Sequence, residues 1–557
     1  MTPAALSRLG PPVMVILLGG PIGLGLLFTL LPAFGYLPAL GGNVFSLEPF
    51  RRLFAEPGLW TSAGLSLWTG LAATFASVFL TAAFLAAWSG TQPFRAIERL
   101  LGPLLALPHA AAAFGLAFLI APSGLFFRAL SPTLAGWTTP PDLLIVNDPL
   151  GLALVAGLVA KEVPFLLLVA LAAMPQADPE RRMLVSASLG YGRMAGFLFT
   201  VWPTLYRQMR LGVFAVVAFS SSVVDVAAIL GPTTPPTLSL RLVRWSADPD
   251  LSFRFLASAG ALLQLGVSAL AILVWIGIER IGRRSREILA ANGHRFAKDR
   301  AMRWLALVFQ ALILFALVAG ILALLLWSFA GLWPFPDLLP STFSIQGWSR
   351  LLPRLIEPLG NAALIGVFSA LLALLLALLC LLREDATGLA PRWRSPLLYL
   401  PLIVPQAAFL FGLQLMALWG GFAPNVLTLT LVHLVFVAPY LFLALAPAWS
   451  AYDPRYEQVA ASLGRGPWTI LRRIKLLMLS RAVLASLAIG FAVSVGLYLP
   501  TLLIGAGRIT TITTEAVALA SGGNRRVVGA YALAQMLLPA LGFLATHLVG
   551  WLVWRRP

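Results

Sequence analysis

Three charged residues stand inside apolar stretches of this chain. Lys161 and Glu162 adjoin in the segment from Leu158 to Phe165, and Asp225 lies between Val224 and Val226. A charge at the centre of a bilayer costs about 2.5–3.5 kcal/mol on insertion scales, so exposure to lipid is disfavoured. Either Lys161 pairs with Glu162 or Asp225 inside a helix bundle, or these groups line a polar path; both readings stand at this level. The chain offers little other chemistry. His109, His433 and His547 are isolated in apolar context, without metal-ligand spacing, so no metal site is expected. The clustered His, Asp or Glu that a membrane enzyme needs are missing. The single cysteine, Cys380, falls in an apolar run and reads as packing.

A second constellation concerns binding. SASLGYGRMAGFLFTVWP, from Ser186 to Pro203, and AASLGRGPWTILRRIKLL, from Ala460 to Leu477, are two versions of one segment. Ala187, Ser188, Leu189, Gly190 and Gly192 align without a gap on Ala461, Ser462, Leu463, Gly464 and Gly466, 274 residues on. Gly190 and Gly464 permit a tight break between two short helices where a Cβ would clash. Arg181, Arg182 and Arg193, and then Arg465, Arg472 and Arg473, give each copy a charged face for an acidic groove or for headgroups. One such loop alone would be an amphipathic linker lying at an interface. Two copies at equivalent places favour a docking surface used twice.

The elements that carry these residues are membrane helices. The 557 residues are 59% hydrophobic and 11% charged, too few charges for the surface of a soluble protein of this size. Apolar runs fall at roughly 12–34, 60–88, 100–121, 150–174, 211–231 and 255–279, and again at roughly 304–332, 359–382, 396–420, 427–449, 483–505 and 528–553. Each approaches the ~20 residues that span a hydrocarbon core. They do not alternate, which argues for helices over a β-barrel. The expected fold is an all-α integral membrane protein of about twelve transmembrane helices. The N-terminal run reads as an uncleaved first span.

With the N-terminus inside, 27 of the 39 Lys and Arg residues fall in inside segments, 11 in outside loops, and Lys161 within a span. This bias places both termini in the cytosol. It also accounts for the net charge of +18 without nucleic acid as a partner. The chain divides into a first helix and outside loop at 1–55, a first core at 56–280 and a basic cytosolic linker at 281–303. A seventh helix and outside loop follow at 304–354, then a second core at 355–557. The linker contacts headgroups or simply joins the halves.

Further matches extend the duplication. Leu107-Pro108-His109-Ala110-Ala111 mirrors Val404-Pro405-Gln406-Ala407-Ala408, Pro164-Phe165-Leu166 mirrors Pro439-Tyr440-Leu441, and Ile229-Leu230-Gly231 mirrors Leu503-Ile504-Gly505. Six helices per half put both copies in one orientation, a parallel repeat with pseudo-twofold symmetry and a path between the halves. Pro108, Pro164, Pro405, Pro439 and Pro500 interrupt apolar runs and should kink them.

The repeated loop resembles the "EAA" loop of ABC-importer permeases. Gly190 and Pro203 match that motif's Gly and Pro, as does Gly464, while Leu477 stands where the second Pro belongs. The Glu-Ala-Ala stretch is replaced by Leu184-Val185-Ser186 and by Gln458-Val459-Ala460, with Glu457 one place early. The resemblance covers nearly all of both halves. It is closest to fused two-half, binding-protein-dependent permeases of the thiamine and ferric-iron groups, through LPHAAAAFGLAFLIAPSG (Leu107–Gly124) and LVAKEVPFLLL (Leu158–Leu168). It implies a permease of the bacterial inner membrane that couples its two loops to two copies of a cytosolic ATPase. It further implies a periplasmic or extracellular substrate-binding protein, surrounding lipid, and a small solute such as thiamine or a related compound as cargo. With no GxxxxGK[ST] loop in the chain, ATP and magnesium would bind the partner ATPase and no cofactor would bind here. The alternatives are an ion-coupled secondary transporter, which would not explain two copied loops, and an integral-membrane enzyme.

Overall fold

The computed structural model describes residues 3–131, 134–388, 391 and 394–555. Over these the chain is helical, without a β-strand. The first half runs through α1 (Gly10–Ala33), α2 (Leu59–Trp88), α3 (Gln92–Ala106), α4 (His109–Ile120), α5 (Leu152–Ala173), α6 (Pro179–Ser188), α7 (Arg193–Gly196), α8 (Trp202–Ser222), α9 (Asp225–Leu230), α10 (Leu238–Ser246) and α11 (Phe253–Ala291). The second half repeats the order: α12 (Arg300–Phe329), α13 (Gln346–Thr387), α14 (Arg394–Ile403), α15 (Gln406–Trp419), α16 (Val426–Ser450), α17 (Arg455–Ser462), α18 (Pro467–Ile470), α19 (Ser480–Gly496), α20 (Leu499–Gly505), α21 (Ile512–Ala518) and α22 (Arg525–Arg555).

The repeat survives in detail. A five-residue π-helical turn at Phe197–Val201 recurs at Leu471–Lys475, again 274 residues on. The same offset carries the break at Val223-Val224 onto Leu497-Tyr498 and the start of α10 at Leu238 onto Ile512. Duplicated local chemistry has folded into duplicated local geometry.

Among the described residues nine helices are long and apolar enough to cross a membrane, or eleven if two bent pairs each count as one span. The difference from twelve lies in α8, whose first turns carry Arg207, Gln208 and Arg210 and dilute its apolar face. The expected single span at 211–231 is also broken, since α8 stops at Ser222 and a short helix restarts at Asp225. The expected span at 100–121 divides at Leu107-Pro108, and that at 396–420 divides before Pro405, where α14 and α15 meet at 86°. Proline lacks an N–H and drives the preceding residue out of the helical region. Pro164 and Pro439, by contrast, sit within unbroken α5 and α16, and Pro500 starts α20. The linker expected at 281–303 is mostly helix: α11 runs on to Ala291 and α12 begins at Arg300, leaving 292–299 as connection.

The halves exchange their first helices. α1 packs on α15, and α12 packs on α4. At one crossing a Cβ on Gly115 would stand 3.0 Å from the Gly320 backbone, and one on Gly320 would stand 2.8 Å from Gly115. At the matched crossing Gly25 and Gly412 face each other, and the Thr29 hydroxyl accepts the Gly412 N–H at 3.0 Å and donates to the Gly25 carbonyl at 2.9 Å. Small residues let helix backbones meet where lipid provides no hydrophobic drive for association. The outer face of α12 shows Leu305, Val308, Leu312, Phe315, Val318 and Leu322 exposed at helical spacing, the surface a hydrocarbon layer covers.

Candidate functional site

The repeated Ala-Ser-Leu-Gly is a helix terminator. In α6 the Tyr191 N–H reaches back to the Ser186 carbonyl at 3.1 Å and the Gly190 N–H to Ala187 at 2.9 Å. In α17 the Arg465 N–H reaches Ala460 at 3.1 Å and the Gly464 N–H reaches Ala461 at 2.9 Å. Both are Schellman caps, which require a left-handed residue after the helix. Gly190 has φ +80° and Gly464 φ +75°. Ser188 and Ser462 make the same turn-internal bond, donating at 2.8 Å to the carbonyls of Val185 and Val459. Pro203 is the second residue of α8, which directly follows the π-helical turn at Phe197–Val201.

The caps leave apolar side chains standing in the open. Val185 and Leu189 are 54% and 53% exposed, and their counterparts Val459 and Leu463 are 60% and 73% exposed. Leu184 adds to the first ridge, and polar Gln458 takes its place in the second. Sequence reading missed these knobs, because Val185 and Val459 stand where the familiar motif has alanine.

Each loop is tied to the end of the second helix of its own half, with different groups. Arg193 donates from Nε to the Ala87 carbonyl at 2.9 Å and from Nη2 to the Ser89 carbonyl at 2.5 Å, at the end of α2. Burial draws the Arg193 pKa below the usual guanidinium value; Arg303 adds to this and Asp299 opposes it. Arg182 donates to the Thr200 carbonyl at 2.8 Å and to Thr204 Oγ1 at 2.7 Å. In the second loop Lys475, 5% exposed, donates to Asp385 Oδ2 at 2.7 Å near the end of α13 and lies 2.8 Å from Glu457 Oε1. The Trp449 ring closes over the Lys475 ammonium at 4.5 Å. Glu457 thus has its partner within the chain.

The intramembrane charges are arranged otherwise than as a simple pair. Lys161 donates to the carbonyls of Leu104 at 2.9 Å and Leu107 at 2.6 Å, the acceptors left open where Pro108 ends α3. Its position caps a helix C-terminus with a cation. No direct ion pair joins Lys161 to Glu162 or Asp225 among the described residues. Glu162 lies 3.5 Å from His109 Nε2 instead. Asp225, 8% exposed, opens α9 directly after the break, within electrostatic reach of His109 and of Tyr498 from the other half. Glu162 is similarly within reach of Tyr440. The polar groups therefore gather where the halves meet, although the ionisable ones come almost entirely from the first. His433, read as isolated, bridges the second break: its ring nitrogens lie 2.8 Å from Ser494 Oγ and 2.9 Å from Thr501 Oγ1.

No family model matches the chain. It is 32% identical over 506 residues to the inner membrane ABC transporter permease protein YnjC of Escherichia coli K12, a match covering 91% of each protein. The chain belongs to the inner-membrane ABC-transporter permeases. A second relative, the Salmonella typhimurium permease protein PhnV, named for 2-aminoethylphosphonate transport, is 27% identical over 224 residues. That match takes 37% of this chain and 84% of PhnV, so a shorter permease aligns with less than half of the present one. As an ABC permease the chain is a multi-pass membrane subunit, and ATP hydrolysis lies on a separate polypeptide. An ATPase and a substrate-binding protein are its general partners.

Proposed function

We propose that this permease supplies both halves of the path of an ATP-driven importer, and that α6–α7 and α17–α18 each dock one copy of an ATPase dimer. The observation that carries the reading is the matched pair of exposed knobs, Val185 with Leu189 and Val459 with Leu463, set on identical caps 274 residues apart. An apolar ridge kept in the open on two equivalent loops is a surface made to be covered. The loops, the 292–299 connection and both termini face the cytosol, in keeping with the Lys and Arg bias. ATP and magnesium bind the partner. The breaks beside Asp225 and Tyr498 form the narrow part of the path, with Glu162, His109 and Tyr440 near it.

The cargo is a small solute. The family resemblance points to thiamine or a related compound, while the name of PhnV offers 2-aminoethylphosphonate as the rival. Ligand screening of the partner binding protein distinguishes them. Docking is tested by Leu189→Asp combined with Leu463→Asp. The double variant should reach the membrane in normal amount yet retain little ATPase on purification. Full retention with normal uptake would refute docking.

A further inference from the structure

The connection between α11 and α12, residues 292–299, does not hang free. The Gly192 N–H donates to the Arg295 carbonyl at 2.9 Å, and the Met194 N–H, at the start of α7, donates to Asp299 Oδ2 at 2.7 Å. Trp88 Nε1 donates to the Arg303 carbonyl at 2.9 Å, and the Arg295 guanidinium lies 5.3 Å over the Tyr191 ring. The Phe296 carbonyl takes the space that a Cβ on Gly192 would need. The segment is strapped to the first loop alone: Gly464 and Gly466 meet nothing within 4 Å.

Phe296 is the unusual member of the strap. Its φ is +45°, a conformation that strains a bulky side chain and persists only where the surroundings impose it. That backbone turns the Phe296 carbonyl towards Gly192 and leaves the ring 50% exposed, stacked on His294 at 5.7 Å. Lys298 stands exposed beside it. The helix that leads into the strap is longer than a hydrocarbon core. α11 has 39 residues, about 58 Å of helix against a core of ~30 Å, and its last turns carry Arg280, Arg283, Arg284 and Arg286. At that length the end of α11 can reach past the headgroups beside the first loop.

We propose that residues 292–299 form a third contact element for the ATPase, carried by the first loop only. Phe296 is its apolar anchor and Lys298 its charged flank, fitting a partner surface with an apolar pocket and an acidic edge. The inference rests on the docking reading above. It adds that the two ATPase copies meet unequal surfaces, one a loop with a strap and the other a bare loop.

The test uses the full permease–ATPase complex in a Cys380→Ala background, with single cysteines at Ser188, Ser462 or Lys298 carrying a benzophenone maleimide. All three should give a permease–ATPase adduct on illumination. Phe296→Gly, which suits the positive φ and removes the ring, should weaken ATPase retention about tenfold, while Gly64→Ala, in α2 and away from both loops with nothing within 4 Å, should leave it unchanged. Adducts from Ser188 and Ser462 but none from Lys298, or a Lys298 adduct to lipid alone, would overturn the strap while leaving docking intact. Silence at all three positions would overturn docking and the strap together.

Discussion

The Lys161 ammonium stands 2.6 Å from the Leu107 carbonyl oxygen, one residue before the proline that breaks the third span. A buried cation here serves as the cap of a helix end. Lys161→Met should therefore leave two carbonyls without donors, at about 1–3 kcal/mol, and lower the melting temperature in detergent. Adding Asp225→Asn should recover none of the loss, because Asp225 does not neutralise Lys161. Recovery in the double variant would show that the two are partners.

Gly115 and Gly320 should tolerate no side chain. A Cβ at either meets the opposite backbone at 2.8–3.0 Å, and overpacking of this kind costs about 1–3 kcal/mol. Gly115→Ala and Gly320→Ala should each lower thermal stability. Gly64→Ala in α2, where nothing lies within 4 Å, should match the parent or gain slightly from helix propensity.

Lys475→Met should loosen the second docking loop and spare the first. It removes the cation shared by Asp385 and Glu457, so trypsin should cut faster at Arg465 and Arg472 and no faster at Arg181. Equal acceleration in both loops would mean that Lys475 supports the bundle as a whole.

Topology can be read from the same cysteine-free background. Ser188→Cys and Ser462→Cys should resist an impermeant thiol reagent on intact cells and react once the cells are opened. Ala135→Cys, Trp245→Cys and Gly507→Cys should lie on the far side, with Ala135 and Gly507 reacting directly. The reverse pattern would invert the membrane orientation and remove the loops from the ATPase.

The repeated loops were legible because their signal is local: a glycine in a cap with a fixed offset. Pro108 and Pro405 likewise announced their breaks. The break at Val223-Val224 was hidden because no proline or glycine marks it: Ser220 to Ser222 before it and Asp225 after it read as polar residues within one span, and hydropathy does not register a turn between two buried segments. The ties that position the loops were hidden for another reason. Lys475 meets Asp385 and Trp449 only through tertiary packing, and Arg193 meets backbone carbonyls that no side-chain pattern encodes. The role of Lys161 was misleading in sequence, since a charge beside Glu162 reads as a pair until the open carbonyls of α3 are seen.

The exchange of α1 and α12 has a bearing on how the permease can be taken apart. Each half lends its first helix to the other, so the covalent connection at 292–299 is not what keeps them together. A gene cut within that connection would yield two polypeptides that clasp each other through the crossings at Gly25–Gly412 and Gly115–Gly320. Neither fragment would have its own outermost helix to cover its third span. Each would carry a third span whose small-residue face stayed uncovered until the other arrived, which makes the crossings, not the peptide connection, the bond between the halves.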